Sequence, residues 1–255
     1  MKIIAVAGRM GTGKDTVAEI LAAKGFQRVA LADVLKQIVH RVFGFDRETL
    51  FGPSDARNRT VHFTDDEWCD IFFRGGDFTE RLCTIMMAGS NTRKNTSNFN
   101  GQDVRRAFHR YLQWCRQRDI EGRFSARVAL QLLGTEFGRT LRDDVWIVNL
   151  EYAIHEIGFG YPYDPLTGLD YERFSPDQKP TGVVITDCRF PNEAEAVHQW
   201  SGEVSWIDAS KRLVIPPSTH ASEPDREAFE GLLTGDIDNN GSLPDLEREV
   251  LRVAG

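Results

Sequence analysis

No run of apolar residues in this 255-residue chain approaches the roughly 20 that a membrane-spanning helix needs. The first apolar run, KIIAVAG from Lys2, is too short for the core of a secretory signal, so a soluble, cytoplasmic protein is expected. Cysteine is scarce. The four, at positions 69, 83, 115 and 188, show no CxxC spacing and share no short motif with His. That argues against a disulfide framework or a zinc site and for free thiols. Basic excess is also lacking: 31 Lys and Arg face 38 Asp and Glu, for a net charge of -7. A general nucleic-acid coat is therefore not expected, although a local basic pocket for a small anion is compatible with that balance.

What is present is ordinary globular composition, 41% hydrophobic and 27% charged, enough for one large domain or a core plus a sub-domain. Five short runs read as strands: 3–7, 26–31, 182–187, 203–208 and, more weakly, 235–239. The first and third are continuously apolar, as strands buried on both faces of a parallel sheet are. Helical stripes lie between them. Val17, Ile20 and Leu21 share a face ahead of Gly25; Asp33 is placed to cap a helix carrying Leu35, Ile38 and Val42; Ser125 is placed to cap another. Ser242 with Asp245 opens a last helix. Strand–helix alternation at both ends predicts a doubly wound α/β fold. The non-alternating middle predicts a large helical insertion over 44–181 between the second and third strands, leaving 1–43 and 182–255 as the core. Residues 89–101 read as a polar loop, and 158–182 as a long loop rich in Pro, Gly and aromatics.

The first strand runs into AGRMGTGKDT. Gly8, Gly11, Gly13 and Lys14 fit a phosphate-cradling loop: glycines let successive N–H groups turn toward phosphate oxygens, the helix start adds its positive dipole end, and Lys14 adds a charge. Asp15 stands where a Ser or Thr usually offers Mg2+ a hydroxyl; Thr16, one place on, can do so. Farther along, an apolar strand delivers Asp187 at its carboxyl end, where ligands sit in open α/β sheets. Arg189 follows as a fork suited to phosphate.

Together with ALADVLK (30–36), LQLLGTEFGR (130–139), DDVW (143–146), VVITDCRFPNEAEA (183–196), HASE (220–223) and DNNGSLPDL (238–246), these segments resemble the deoxynucleoside monophosphate kinases of bacteriophages, within the P-loop nucleotide kinases. The matches span nearly the whole chain in order; 47–125 matches nothing. The resemblance implies an α/β P-loop kinase fold of about five parallel strands, a substrate-binding helical insertion and a lid at about 209–224. It implies phosphoryl transfer from ATP to a deoxynucleoside monophosphate with Mg2+ in the cytoplasm of a host cell, and a homodimer. On this reading Lys14, Asp15, Asp187 and Arg189 carry catalysis. Gly11, Thr12, Gly13, Lys14, Thr16, Arg212 and Asn240 bind ATP, with its adenine near 239–241. Asp33, Lys36, Arg139, Trp146 and Arg189 bind the acceptor, which enters between the sheet and the insertion, and Arg142 is a further candidate there. Thr16 and Asp187 hold Mg2+, largely through water. His220 reads as a loop residue within the lid.

Three other readings compete. A kinase of another small acceptor, such as dephospho-coenzyme A, shares the loop. A nucleic-acid-associated module would use the arginines at 105, 106, 110, 116 and 118 with Phe108, Tyr111 and Trp114. DIDNNGSLPDLE (236–247) fits the calcium-loop pattern, but Pro244 and the lack of a second such loop oppose it.

Overall fold

A computed structural model describes residues 1–90, 101–139, 141–142, 144–213 and 225–255, with side chains not described over 80–90 and at 139. In chain order the elements are β1 (Lys2–Ala7), α1 (Lys14–Ala22), β2 (Phe26–Val29), α2 (Leu31–Phe43), α3 (Arg47–Phe51), α4 (Ser54–Asn58), α5 (Asp65–Ser90), α6 (Gly101–Ile120) and α7 (Ala126–Gln131). A π-helical stretch, Leu132–Arg139, follows α7. Then come α8 (Val145–Phe159), β3 (Tyr163–Asp164), β4 (Gly168–Leu169), β5 (Gly182–Cys188), α9 (Pro191–Gln199), β6 (Glu203–Asp208), β7 (Gly235–Asp238) and α10 (Leu243–Ala254). No helix among the described residues is long and apolar enough to cross a membrane.

The chain forms two compact units. The first comprises Met1–Leu31, Ile154–Tyr163 and Leu169–Gly255. It holds a five-stranded sheet in the order β2-β5-β1-β6-β7, every pairing parallel. The five strands expected from the sequence are all present, within two residues at each end. Alternation along β1 sends Ile4 and Val6 to one face, where they pack with Val17 and Leu21 of α1, Val184, Ile207, Ile237, and Leu246 and Val250 of α10. Residues of this cluster are at most 6% exposed, as a sheet covered by helices demands. The Pro- and aromatic-rich segment 158–182 is tied to this unit by Ser175 N donating to Gly160 O at 3.0 Å and Thr181 N to Gly25 O at 2.9 Å.

The second unit comprises Ala32–Ala153 and Asp164–Gly168 and is helical. Its centre is aromatic: Phe43 lies 5.1 Å from Phe124 and 6.1 Å from Trp68, ring centre to ring centre, with Tyr111 at 6.3 Å. This explains why the division differs from the expected 44–181. Most of α2 belongs with the helices, because its buried face, ending in Phe43, packs into that aromatic core. A buried carboxylate pins the same core. Asp119, 2% exposed, accepts from Trp68 Nε1 at 2.7 Å, Phe63 N at 3.1 Å and His62 Nδ1 at 2.8 Å.

Two expected caps are as read: Val128 N donates to Ser125 Oγ at 3.3 Å, and Asp245 accepts from Ser242 N at 2.8 Å. The third is corrected. Asp33 does not cap α2, which starts two residues earlier; the Leu31 N–H is held instead by Asp187 Oδ1 at 2.7 Å.

Removing the acceptor at the aromatic core leaves buried donors without partners. Asp119→Ala is expected to lower unfolding free energy by about 3 kcal/mol, read as a drop in the urea midpoint at unchanged slope.

Candidate functional site

The glycine loop follows the central strand of the sheet. Gly8, Gly11 and Gly13 all have positive φ, at 153°, 80° and 100°. The turn is held from within. Thr12, 3% exposed, donates its hydroxyl to Arg9 O at 2.8 Å, and Val17 N closes the first turn of α1 on Gly13 O at 3.0 Å. No side chain caps α1. Among the described residues the N–H groups of Gly11, Gly13, Asp15 and Thr16 have no hydrogen-bond partner. They form a set of donors at a helix start, the arrangement that attracts an anion. Lys14 folds back over this loop, its ammonium donating to Gly8 O and Arg9 O at 2.6 Å each. Asp15 is exposed in the first turn of α1, and neither its carboxylate nor the Thr16 hydroxyl has a partner among the described residues.

The carboxyl edge of the sheet brings further polar groups to the same end. In the β1–β5 register Ala7 stands opposite Cys188, so Asp187, the last residue but one of β5, lies at the sheet edge from which the loop leaves. Arg189 follows, exposed, its guanidinium without a partner among the described residues. Its backbone is fixed: Glu193, 7% exposed, accepts from Arg189 N at 2.7 Å and Phe190 N at 3.1 Å. This explains RFPNE physically, since Pro191 starts α9 and Glu193 reaches back to cap it. Neighbouring Cys188 is no nucleophile; burial, with the Glu193 and Asp187 charges, pushes its thiol well above the usual range.

On the other side of β1, Asp208 ends β6. It accepts from Ser210 N at 2.9 Å, and this bond, with help from Asn240 and Lys211, holds its carboxyl below the usual value. Asn240 is not aimed at a ligand. Its Oδ1 accepts from Lys211 N at 2.8 Å and its Nδ2 donates to Asp238 Oδ1 at 2.6 Å, so it braces the loops after β6 and β7. The side chain expected to contact ATP is thus already engaged within the protein. Arg212 is exposed on the braced turn, its guanidinium without a partner among the described residues. Leu213 beside it approaches the loop tip: a Cβ on Gly11 would sit 3.9 Å from Leu213 Cδ1. The rest of the expected lid, 214–224 with His220, lies outside the described residues, as does 91–100 of the polar loop.

The acceptor-side residues fall in the second unit. Asp33 is fully buried, with Oδ1 lacking a hydrogen bond, though the residue is engaged elsewhere. Lys36 places its ammonium 3.8 Å from the centre of the Phe51 ring, a cation–π contact. Trp146 is corrected from a base platform to a packed side chain. It is 6% exposed, its Nε1 donates to Gly134 O at 3.2 Å, and its ring lies so close to Gly138 that any Cβ there would collide. Arg142 spends its fork on Asp144 in a bidentate pair, 2.6 and 2.7 Å, and so does not present it to a phosphate. Arg139 ends the π-helical stretch; its side chain is outside the description.

Two competing motifs lose their geometry. The calcium-like segment is a strand, a turn and a helix start: Asp236 pairs with Arg226 at 2.8 Å, and Asp238 accepts from Asn240 N at 2.9 Å. Along α6, Phe108 and Tyr111 are buried, while Arg116 and Arg118 pair with Asp65 and Glu121. That is a solvated amphipathic face rather than a stacking platform for bases. For Mg2+, Thr16 and Asp187 offer hard oxygen donors, and phosphates supply most ligands in nucleotide sites. They fit such an ion, and among the described residues no three His, Cys, Asp or Glu form a cage. Glu193 and Asp208 are not singled out by sequence reading, and Asn239 enters only within 239–241, as lying near the adenine. Only Glu193, three residues past the cap residue Phe190 of α9, carried a signal.

The Asp208 carboxyl gives a signed pH effect. Its folded pKa lies below its unfolded one, so its charge stabilises the fold above about pH 4 and that contribution is lost as pH falls through the folded value. Asp208→Asn is expected to be less stable than wild type at pH 7, the gap closing as the protein is titrated into acid, by urea unfolding across pH 2.5–7. No protein-family model matches the chain, and no curated protein is significantly similar to it.

Proposed function

We propose that the protein is a phosphotransferase that moves a phosphoryl group from ATP to a deoxynucleoside 5'-monophosphate. One observation carries the reading: a loop from the central strand ends in N–H groups with no partner among the described residues, with the Lys14 ammonium held over them. Free N–H donors, a helix dipole and a fixed cation together suit a polyphosphate. The parallel sheet of order β2-β5-β1-β6-β7 is compatible with that use.

In this reading the loop grips the donor phosphates and Lys14 neutralises charge on them. Arg189 and Arg212, exposed on fixed backbones, supply further positive charge. Thr16 and Asp187 would hold Mg2+, which shields the phosphate oxygens when bound. Asp33, Lys36, Arg139 and Arg189 remain the assignments toward the acceptor, and Asp15 remains a catalytic candidate. Phosphoryl transfer needs placement and charge more than proton abstraction, so no side-chain nucleophile is required.

The test is ADP release with ATP, Mg2+ and a panel of deoxynucleoside and ribonucleoside monophosphates, with dephospho-coenzyme A alongside. Turnover with at least one deoxynucleoside monophosphate is expected, with Lys14→Ala losing at least about 100-fold in kcat. Turnover with dephospho-coenzyme A alone would move the assignment to another small acceptor. Inertness toward the whole panel would remove it.

A further inference from the structure

Asn239 sits just after β7 and is 4% exposed. Its side-chain Nδ2 donates to Thr12 O at 2.7 Å, linking residues 227 apart in sequence. Its backbone N donates to Asp208 O at 2.7 Å, so the amide is anchored to the carboxyl edge of the sheet and not to the glycine loop it touches. We infer that Asn239 is a positioning residue that aims the Gly13 N–H at the bound polyphosphate; this rests on the nucleotide-binding reading above.

The argument is one of peptide geometry. In a trans peptide the C=O and the following N–H point in opposite directions. Asn239 holds the Thr12 carbonyl, and thereby turns the Gly13 N–H the other way. That N–H has no partner among the described residues. Rotation of this one peptide would remove a donor from the set. The glycine at 13 belongs to the same device. Its φ is 100°, and a Cβ built there would collide with Asn239 Nδ2, so the amide and the glycine need each other. A buried amide is also a rigid reference, because displacing it would leave its hydrogen-bonding groups unsatisfied.

Asn239→Asp keeps the shape but sets a carboxylate oxygen against the Thr12 carbonyl; Asn239→Ser shortens the reach. Titration calorimetry with inorganic tripolyphosphate and with ATP is expected to show roughly tenfold or greater loss of affinity in both variants, below their melting temperatures, as loss of a bond to a charged ligand implies. In the wild-type protein the Gly13 amide resonance is expected to shift on adding tripolyphosphate, which needs no variant to fold, and in the folded variants that shift at saturation is expected to shrink relative to the other loop amides, which a purely structural Asn239 would not cause. Equal affinities in folded variants, or a Gly13 amide that stays still while other loop amides shift, would overturn the inference and leave the nucleotide reading intact. Failure of the wild type to bind either tripolyphosphate or ATP would overturn that reading itself.

Discussion

Because β1 is hydrogen-bonded on both edges, to β5 and to β6, its backbone has no freedom to shift along the sheet. Whatever leaves its carboxyl end leaves in a fixed place and direction. The chain leaves as a turn with three positive-φ glycines and enters α1 without a side-chain cap. Ordinary proteins satisfy helix-start N–H groups with a Ser, Thr, Asp or Asn cap. Here that position is Gly13, so the donors stay available. The cost of uncapped donors at a helix start is about 1 kcal/mol. A fold retains such a cost where the donors serve something other than the fold itself.

Elsewhere the acids are spent on holding backbone N–H groups. Asp187 takes the first N–H of α2, Glu193 the entry to α9, Asp208 the turn after β6 and Asp245 the entry to α10. Each sits at or just beyond a strand end or helix start, where orphan donors occur. These four acids therefore serve backbone donors rather than the nearby arginines. Arg189 and Arg212 illustrate this: their main chains are fixed by hydrogen bonds and their guanidinium groups have no acid beside them among the described residues.

The central strands were legible because burial on both faces leaves continuous apolar runs, whereas the run at 235–239, whose strand β7 buries only Ile237, was the weakest. The glycine loop was legible because positive φ has few residue solutions. Three things were not. Asp33 has the composition of a cap, but the carboxylate that does the work arrives from a strand 156 residues away, which no local pattern encodes. Trp146 has the chemistry of a base platform; only packing against Gly138 reveals it as core. Asn239 and Asn240 are adjacent and alike in type, yet one reaches Thr12 and the other braces Asp238 and Lys211. Both lie in the turn after β7, and which of them meets the glycine loop depends on a contact between residues far apart in the chain, which no local pattern encodes.

The same reasoning separates Asp15 from Thr16. Successive side chains on a helix diverge by about 100°, so two adjacent residues at a helix start serve different neighbours. Asp15 is exposed and Thr16 half-buried, which matches that divergence. An acid in the first turn is favoured by the helix dipole, by roughly 0.3–1 kcal/mol at an exposed site. That gain suffices to keep Asp15 with no ligand present, and it is screened by salt. The divergence matters more for chemistry. Thr16 is half-buried in the same first turn that carries the unpartnered N–H groups. The carboxylate one residue earlier is turned toward solvent, where its charge weakens the site least. An acid in the middle of an anion-binding loop is therefore no contradiction: the loop's donors come from the backbone, and the helix turns the side chain away from them.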